Sequence, residues 1–268
     1  MTQVVHTDTA DRRDYEGFCH SIRIHTGIDL MAYKRTQMER RIRSMAERFG
    51  IDDLREYWSR LARDEAALRQ FLDRVTINVS ECFRNPEKFE ELRRYVLPEL
   101  MAANQTLSIW SAGCSYGAEI YSLKILLLEM APQLHHRLLA TDIDTGILAR
   151  ARQGHFSEDD LRNVAEPLRK KYFTHVGTEY QISDRLREGV EFQRHDLLND
   201  RYPANMHLIL CRNVVIYFSD DAKQRVFNGF YQTLRPGGYL LLGSTERIAD
   251  APLIGYTSPR PFFYHRKR

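Results

Sequence analysis

The sequence predicts an all-α N-terminal region followed by an α/β domain built on a mostly parallel, doubly wound sheet. Two observations support this prediction. Between residues 15 and 100, apolar side chains recur at spacings of three and four residues, and no glycine falls between Gly50 and Gly113. From residue 107 onward, short apolar runs alternate with helical patterns, which is typical of strands that helices connect. We therefore expect a helical domain at residues 1–75, a connecting segment at 76–106 and a sheet domain at 107–268.

Helix signals divide the N-terminal half into successive elements. One helix is expected over Tyr15–Thr26 and another over Met31–Phe49, because a glycine directly follows each pattern. The pair Asp52–Asp53, and then Asp64, are suited to N-cap two further helices. Pro86 is suited to the first turn of a fifth helix.

The second half contains six apolar runs that we interpret as strands. They are Leu107–Ala112, Leu138–Ile143, Val190–Arg194, His207–Cys211, Tyr239–Gly243 and Phe262–His265. Helical patterns between them cover Ala118–Met130, Thr145–Gln153 and Asp220–Leu234. Tyr172–Val176 and Tyr180–Ile182 are separated by a glycine and indicate a small antiparallel hairpin, inserted at about residues 170–190.

Composition argues against several classes of protein. The 268 residues are 43% hydrophobic and 11% aromatic, which suits a packed core and not a disordered chain. A net charge of +3 does not indicate a nucleic-acid-binding surface. There is no apolar stretch of a signal peptide, and no run approaches the roughly 18 residues of a membrane span. Four scattered cysteines without a CxxC pair argue against disulfides and zinc. We expect a cytoplasmic protein with no metal and no direct membrane insertion.

A glycine turn follows the first predicted strand and leads into a helix, in the string IWSAGCSYGAEIYS at residues 109–122. Gly113 and Gly117 allow the backbone to approach a ligand closely, and the helix begins with unpaired N–H groups. Glu119, in the first helical turn, is placed to meet a positively charged group. Both features also have simpler interpretations: a tight strand-to-helix connection, and a carboxylate that interacts with a helix N-terminus.

Carboxylates follow the next two predicted strands. The second strand ends in ATDID, where Asp142 is placed to accept hydrogen bonds from ribose hydroxyls and Asp144 to cap the next helix. The third ends in HDLL, where Asp196 and Leu197 would contact an adenine edge and face. The turn lacks the GxGxxG pattern of NAD sites and the lysine of a P-loop. A ligand with adenosine but no phosphate fits better, which favours S-adenosylmethionine.

Four strings in the sequence resemble the chemotaxis receptor methyltransferases, the CheR family. They are TINVSECFR at 76–84, IWSAGCSYGAEIYS at 109–122, ATDID at 140–144 and CRNVVIYF at 211–218. The resemblance extends over essentially the whole chain. It implies a Rossmann-like class I S-adenosylmethionine-dependent methyltransferase domain with a small antiparallel β-subdomain inserted, preceded by an all-α domain. It also implies methyl esterification of glutamate side chains on the cytoplasmic helices of chemoreceptors, with S-adenosylhomocysteine as the second product.

The resemblance implies roles for particular residues. Asn78, Ser80 and Arg84 would line the cofactor from the connecting segment. In the sheet domain, the Gly113 backbone and six further residues would line the cofactor. These six are Glu119, Asp142, Asp196, Leu197, Arg212 and Asn213. Arg84 and Tyr217 would lie beside the transferred methyl group and the incoming glutamate.

The chain departs from the family pattern in the glycine turn and in the connecting string. The family's turn commonly reads TGEEPYS, whereas this chain has Tyr116, Ala118 and Ile120 at the Thr, first Glu and Pro positions. In the connecting string, Ser80 and Cys82 stand where Thr and an aromatic residue are frequent. Tyr116 is the largest change, because it puts a bulky ring where a small residue is usual.

Methyl transfer to a glutamate needs no general base, because a carboxyl group with a pKa of about 4.3 is already ionised at neutral pH. Catalysis then depends on desolvating and aligning the carboxylate, and alignment contributes on the order of 7–11 kcal/mol in favourable cases. The planar fork of Arg84 is suited to hold a carboxylate. Tyr217 would supply an orienting hydroxyl or line the methyl channel; otherwise it is an aromatic residue packed in the core.

Positive charge is concentrated at residues 34–48, where six Lys and Arg occur with two Glu. A charged helix is often only a solvated face. Because the methylation helices of chemoreceptors are acidic, we expect Arg40, Arg41 and Arg43 to dock them.

Some family members bind a tethering peptide at the end of the receptor tail, which adds a strand to the inserted β-subdomain. The hairpin around Gly177 is short in this chain, and a short hairpin offers less edge for strand addition. The sequence therefore predicts an enzyme that recognises receptors without the tether.

Two alternative functions differ in class from a receptor methyltransferase. A nucleic-acid amino-methyltransferase is expected to carry a [DN]PP[YF] string after the fourth strand, where this chain reads CRNVVIYF. Cys211 is better interpreted as a buried strand residue than as a nucleophile. The other alternative is a cofactor-sensing scaffold without catalysis, for which Tyr116 and Ala118 are the only indication.

Overall fold

The chain divides into two compact units in a computed structural model, which describes residues 4–76 and 78–267. The helical unit comprises Met1–Ile77 and the short segment Tyr217–Gln224. The sheet unit comprises Asn78–Ile216 and Arg225–Arg268. No helix within the described ranges is both long and apolar enough to cross a membrane.

The helical unit begins with four α-helices, and the predicted second helix starts later than expected. A 3-10 turn at Leu30–Ala32 comes first, and the α-helix starts only at Arg35. The backbone between them is extended because Tyr33 forms a β-bridge with Phe218 and the Lys34 N–H donates to the Tyr217 carbonyl at 2.8 Å. The helices are α1 (Val4–Thr26), α2 (Arg35–Glu47), α3 (Leu54–Leu61) and α4 (Glu65–Val75).

Aromatic side chains form the core of the helical unit. Phe18 of α1 stacks on Tyr57 of α3 at 5.8 Å between ring centroids and meets Phe71 of α4 edge-on at 5.6 Å. The predicted N-caps are confirmed: the Asp53 carboxylate accepts from two backbone N–H groups of α3, and the Asp64 carboxylate accepts from one of α4. Local capping and aromatic burial thus specify the same helices.

Residues 86–103 form one nearly continuous helix at the start of the sheet unit. It consists of α5 (Pro86–Glu91), a π-helical segment at Leu92–Val96 and α6 (Leu97–Ala103). Pro98, near the start of α6, has no N–H, and its ring would clash with the carbonyl four residues earlier in a regular α-helix. The wider π segment before Pro98 accommodates that ring.

The rest of the sheet unit alternates strands and helices, as the sequence predicts. In chain order the elements are β1 (Ser108–Ala112), α7 (Ala118–Met130), β2 (Arg137–Asp142), α8 (Thr145–Gln153), β3 (His155–Phe156), α9 (Glu166–Tyr172), β4 (Phe173–Val176), β5 (Glu179–Ile182), α10 (Asp184–Arg187), β6 (Val190–Arg194), β7 (Met206–Cys211), α11 (Asp220–Thr233), β8 (Leu234–Leu242), α12 (Ala251–Ile254), β9 (Tyr256–Arg260) and β10 (Phe263–Arg266).

The large sheet has the strand order β6-β2-β1-β7-β8-β10-β9. The first five strands are parallel, and β10 pairs antiparallel with both β8 and β9. The strand order reverses between β1 and β7, and ligands of such sheets bind at that point, beside the carboxyl ends of the strands. The predicted doubly wound fold is confirmed.

The inserted subdomain is larger than the predicted hairpin. The hairpin itself is confirmed, because β4 and β5 pair antiparallel on either side of Gly177 and Thr178. A third strand, β3, also pairs with β5, so that the order of this small sheet is β3-β5-β4. With only two residues, β3 is too short to give a pattern in the sequence. The central strand is therefore β5, and the open edges belong to β3 and β4.

Candidate functional site

The turn after β1 is shaped by residues in the left-handed region. Gly113, Ser115 and Gly117 have φ angles of 76°, 49° and 87°. At Gly113 space is limiting as well, because a Cβ atom there would lie 2.5 Å from Cγ2 of Val214. Gly117 is the N-cap of α7 and supplies no side-chain acceptor to its first turn. The glycine turn therefore brings the backbone close to the chain that follows β7.

Asp142 connects this turn to the end of β2. Its carboxylate is buried, and Oδ2 accepts from the Ser115 N–H at 2.8 Å while Oδ1 accepts from the Asp144 N–H at 3.1 Å. Burial raises the pKa of Asp142 to about 6. Asp144 caps α8 as predicted, since its Oδ1 accepts from the Ile147 N–H, and its Oδ2 accepts from Nδ2 of Asn78 at 2.8 Å. Asn78 is thereby placed beside the carboxyl end of β2.

Glu119 and Arg212, both predicted site residues, lie together in the interior. Oε1 of Glu119 accepts from the Ser111 hydroxyl at 2.7 Å, and its Oε2 lies 3.8 Å from Nη1 of Arg212. Burial raises the pKa of Glu119, and the Arg212 charge opposes that rise. Burial lowers the pKa of Arg212, and Glu119 opposes that fall. Each charge thus reduces the cost of burying the other.

Arg212 also reaches the connecting segment. Its Nη2 donates to the Arg84 carbonyl at 2.8 Å and to Oδ1 of Asn85 at 2.7 Å. Asn85 was not predicted as a site residue. It has a positive φ of 57° before α5, and Asn-Pro at residues 85–86 was the only signal for it in the sequence.

Glu246 is a site residue that sequence reasoning missed. Its buried carboxylate accepts four backbone N–H groups, from Asn213 at 2.7 Å, Val214 at 2.9 Å, Ile216 at 3.2 Å and Gly243 at 2.7 Å. These bonds hold Asn213 in the left-handed region, with a φ of 61°. No local pattern connects Glu246 to its three partners that lie 30 to 33 positions earlier.

Some of the buried polar atoms without a hydrogen-bond partner lie at this edge of the sheet. Among the described residues, Oγ of Ser115, Nε of Arg212 and Oδ1 of Asn213 are buried and have no hydrogen-bond partner. Buried polar atoms are almost always paired. Their positions, beside the glycine turn and after β7, make them candidates to bind a polar ligand. Ser115 was not among the predicted residues.

Asp196 and Leu197 follow β6 and are both buried. The Asp196 carboxylate accepts from the Leu198 N–H and from Nδ2 of Asn199, each at 2.8 Å. The Leu197 carbonyl accepts from the Tyr202 hydroxyl at 2.6 Å. The Asp196 carboxylate therefore stabilises its own turn, and an adenine contact at these two residues stays a prediction.

The two residues predicted beside the transferred methyl lie in different units. Arg84 is half-buried in the sheet unit, where Nη1 lies 3.4 Å from the Val79 carbonyl. Tyr217 ends a 3-10 turn, Val215–Tyr217, and belongs to the helical unit, where its carbonyl accepts from Lys34. Their predicted roles stay predictions.

The three arginines predicted to dock receptors have different surroundings within the helical unit. Arg43 pairs with Glu39 at 3.0 Å and with Asp14 at 3.4 Å. Nη1 of Arg41 donates to the Val75 carbonyl at 3.2 Å, and Arg40 is exposed. They do not form one uniform basic surface, because intramolecular contacts already engage Arg41 and Arg43.

Tyr116 does not extend into solvent at the glycine turn. Its ring is buried 5.9 Å from the Phe156 ring, and the Arg150 guanidinium lies 4.4 Å from its centroid. The bulky side chain is thus part of the packed interior of the sheet unit. Nowhere in residues 4–76 or 78–267 do three or more His, Cys, Asp or Glu side chains form a cluster suited to a metal.

The sheet order, the glycine turn and the carboxylate at the tip of β2 define a class I S-adenosylmethionine-dependent methyltransferase fold. Within that class, the chain belongs to the CheR methyltransferase family. Residues 78–257 match the family's SAM-binding domain, and residues 13–76 match its all-alpha domain. The resemblance found in the four sequence strings is confirmed.

Several relatives share most of their length with this chain. A chemotaxis protein methyltransferase of Listeria monocytogenes is 37% identical over 253 residues, which cover 94% of this chain and 97% of the relative. A chemotaxis protein methyltransferase 1 of Pseudomonas aeruginosa is 34% identical, covering 91% and 93%. Among solved structures, the glycopeptide N-methyltransferase MtfA complexed with sinefungin is similar with a TM-score of 0.37 and 12% identity, covering 61% of this chain and 50% of that one.

We expect Gly113→Ala to destabilise the sheet unit by more than backbone strain alone. A left-handed φ costs an L-residue roughly 1–2 kcal/mol, and the new Cβ would also displace Val214. Gly177→Ala is the matched control, because Gly177 has a φ of +62° but no atom within 4 Å of a built Cβ. Thermal unfolding of both variants measures the difference. Equal losses in melting temperature would show that Val214 does not restrict the turn.

Proposed function

We propose that the chain transfers a methyl group from S-adenosylmethionine to glutamate side chains of chemoreceptors and forms methyl esters. The observation that supports this most strongly is the set of unpartnered buried atoms of Ser115, Arg212 and Asn213 beside the glycine turn and after β7. They lie inside the region that matches the family's SAM-binding domain. Relatives named chemotaxis protein methyltransferases support the receptor as substrate.

The site residues suit the groups of this cofactor. Asp142 offers a buried carboxylate to the ribose hydroxyls, and its two backbone bonds fix its orientation. Glu119 offers a carboxylate to the methionine ammonium, while Arg212 opposes the effect of burial and so favours its ionised form. Bound S-adenosylmethionine supplies a methyl group activated by an adjacent sulfonium. No metal is part of the proposal.

The chain's own task is to orient and desolvate the glutamate carboxylate. That carboxylate is ionised at neutral pH, so no side chain has to remove a proton. Arg84 is half-buried and offers a planar pair of donors on the connecting segment. Tyr217 carries a hydroxyl in the segment that follows Asn213. We propose Arg84 and Tyr217 as the residues that act on the substrate.

Receptor recognition is assigned to the helical domain and takes place in the cytoplasm. Arg40 is exposed on α2, and acidic methylation helices are complementary to its charge. The two edge strands of the small sheet are short, with two residues in β3 and four in β4, so that little edge is offered to a tethering peptide. Binding independent of the tether is therefore part of the proposal.

The decisive experiment supplies purified enzyme with radiolabelled S-adenosylmethionine and receptor cytoplasmic fragments. Label that enters the receptor and is released by mild base identifies a methyl ester. Cofactor binding without any transfer would support the non-catalytic scaffold instead. Label on nucleic acid, and none on receptors, would support a nucleic-acid methyltransferase.

We expect the affinity for S-adenosylhomocysteine to fall as the pH drops through about 6. Burial raises the pKa of Asp142 to about 6, and its protonated form has lost acceptor capacity for the ribose hydroxyls. Asp142→Asn should weaken binding at least tenfold at pH 7.5, since a charge-assisted hydrogen bond contributes roughly 1.5–3 kcal/mol, and should flatten the profile. Calorimetric titration from pH 5 to 8 measures this. The control variant Asp159→Asn, at an exposed aspartate, should keep the parental dependence of affinity on pH. If Asp142→Asn also kept that dependence, the ribose hydroxyls would bind elsewhere.

Arg84→Ala should lower receptor methylation by roughly a hundredfold, the order of loss expected when a reacting group is misplaced. Cofactor affinity should change much less. Arg84→Lys should recover little activity, because an ammonium cannot reproduce the two parallel donors of a guanidinium. Turnover and S-adenosylhomocysteine affinity are measured on the same preparations. Full activity of the lysine variant would reduce Arg84 to a general positive charge.

Charge reversal at Arg40 should slow receptor methylation several-fold and leave cofactor affinity unchanged. Added salt should produce the same slowing, since screening lengths fall to about 8 Å at physiological ionic strength. Arg55→Glu, at an exposed arginine of α3, is the matched control and should stay near parental rates. Receptor fragments with and without their C-terminal tails should be methylated equally. A rate insensitive to salt and to Arg40→Glu would exclude this docking surface, and a requirement for the tail would contradict tether independence.

A further inference from the structure

Tyr116 occupies the one position in the glycine turn where a long side chain is directed inward between two left-handed residues. Ser115 before it and Gly117 after it both have positive φ angles. The ring contacts both Phe156 and Arg150. Because backbone and ring are both confined, the position of the phenol oxygen is set by the turn itself.

The Tyr116 hydroxyl contacts two oxygens from distant parts of the sheet unit. One is the backbone carbonyl of Ser80 in the connecting segment. The other is Oδ1 of Asp160, at 2.8 Å, in a 3-10 turn at Asp159–Leu161. We name Ser80, Tyr116 and Asp160 the Tyr116 junction. It joins the glycine turn, the connecting segment and the chain that follows β3.

Asp160 is itself fixed in place. Its Oδ2 accepts from the Ser157 N–H at 2.8 Å, and its backbone carbonyl accepts from the Cys82 N–H at 2.9 Å. Burial and the hydrogen bond to Asp160 raise the pKa of Tyr116 well above its ordinary value. The phenol therefore keeps its proton and acts as a donor. It has a single proton to share between the Ser80 carbonyl and the Asp160 carboxylate.

The contacts of the connecting segment are unequally distributed along it. Toward its C-terminal side, Cys82 bonds Asp160, the Phe83 N–H donates to the Ser122 hydroxyl at 2.8 Å, and the Arg84 carbonyl accepts from Arg212. Toward its N-terminal side, the side chains of Asn78 and Glu81 contact Asp144 and Arg162, whereas the main-chain contact at Ser80 is made by Tyr116. The Tyr116 hydroxyl therefore holds the main chain at Ser80, between these two side-chain contacts.

We propose that Tyr116 is a positioning residue, whose hydroxyl holds the connecting segment so that Asn78, Ser80 and Arg84 are ordered at the cofactor site before ligand binds. The proposal rests on the proposed cofactor site. It gives the ring at position 116 a function: the turn that meets the ligand also fixes the segment that lines it. A variant without the hydroxyl has to order that segment upon binding, which lowers affinity.

Tyr116→Phe tests this with loss of one oxygen atom. We expect S-adenosylhomocysteine to bind roughly three- to tenfold more weakly, the range for one net hydrogen bond. The KM for S-adenosylmethionine should rise by a similar factor with kcat nearly unchanged, because the hydroxyl serves binding and not the methyl transfer itself. Amide hydrogen exchange at residues 78–84 should accelerate in the ligand-free variant, while exchange in β1 and β2 stays at parental rates.

Tyr121→Phe is a matched control for the loss of a buried phenol. The Tyr121 hydroxyl also donates to a backbone carbonyl, that of Ala151, at 2.9 Å, and its ring is fully buried. We expect Tyr121→Phe to lower the melting temperature without changing S-adenosylhomocysteine affinity. An equal loss of affinity in both variants would show that Tyr116 acts only through global stability, and would overturn the proposal.

Asp160→Asn separates the two acceptors of the junction. The amide can donate to the phenol oxygen while its own oxygen still accepts from Ser157, so the Tyr116 proton goes wholly to the Ser80 carbonyl. We expect affinity within about twofold of the parent, against the larger loss in Tyr116→Phe. A loss as large as that of Tyr116→Phe would assign the effect to Asp160 and overturn the role of the Ser80 contact.

Different results would reject the positioning role of Tyr116 and the proposed ribose contact of Asp142. Parental affinity and exchange in Tyr116→Phe, with weakened binding in Asp142→Asn, would reject the positioning role alone. Parental affinity in Asp142→Asn, with weakened binding in Tyr116→Phe, would reject the ribose contact and support the positioning role. Parental affinity in both variants would reject both.

Discussion

The buried guanidinium of Arg212 is the interaction on which the site depends. Arg212 directly follows β7 and contacts Glu119 of α7 together with Arg84 and Asn85 of the connecting segment. A desolvated charge is tolerated only with compensating partners, so these contacts require one another. Loss of Glu119 would leave a buried cation, and loss of Arg212 would leave a buried carboxylate and an untethered segment. One side chain thus specifies the mutual positions of three elements.

Backbone N–H groups also fix this part of the site, through their hydrogen bonds to two buried carboxylates. Glu246 accepts three N–H groups from the chain after β7 and one from Gly243 after β8. Asp142 accepts one N–H group from the glycine turn and one from Asp144 after β2. Both carboxylates are buried, and burial raises the pKa of each. Their bonds fix residues in the left-handed region that would otherwise cost conformational energy. These bonds therefore restrain the backbone at this edge of the sheet, and restraint of this kind favours the alignment of reacting groups.

Much of this arrangement could be predicted from the sequence, because it follows from periodicity and from strand ends. Parallel strands carry their carboxyl-terminal residues to one edge, so Asp142 lies at the tip of β2 as expected. The contact between Glu119 and Arg212 was not predicted, although both were candidate site residues. Glu246 could not be predicted, since its partners are distant in the chain and only the tertiary fold brings them together. The strand β9 was not predicted because Ser258 and Pro259 interrupt its apolar pattern. The strand β3 was not predicted because it is only two residues long. The membership of Tyr217–Gln224 in the helical unit rests on the bridge between Tyr33 and Phe218, for which no sequence rule exists.

Because Tyr217–Gln224 belongs to the helical unit, the protein cannot be divided at a single point of the chain. The chain passes between the units after residues 77, 216 and 224, so they are joined by three covalent connections and not by a single tether. A cut near residue 77 would leave both pieces associated through the β-bridge and the bond between the Ser219 N–H and the Ala32 carbonyl at 2.8 Å. Removing residues 1–77 altogether would uncover Phe218, which is buried in the intact chain. The helical domain is therefore not an interchangeable module, and recombining it with another methyltransferase domain requires that the partner's segment equivalent to Tyr217–Gln224 be exchanged with it.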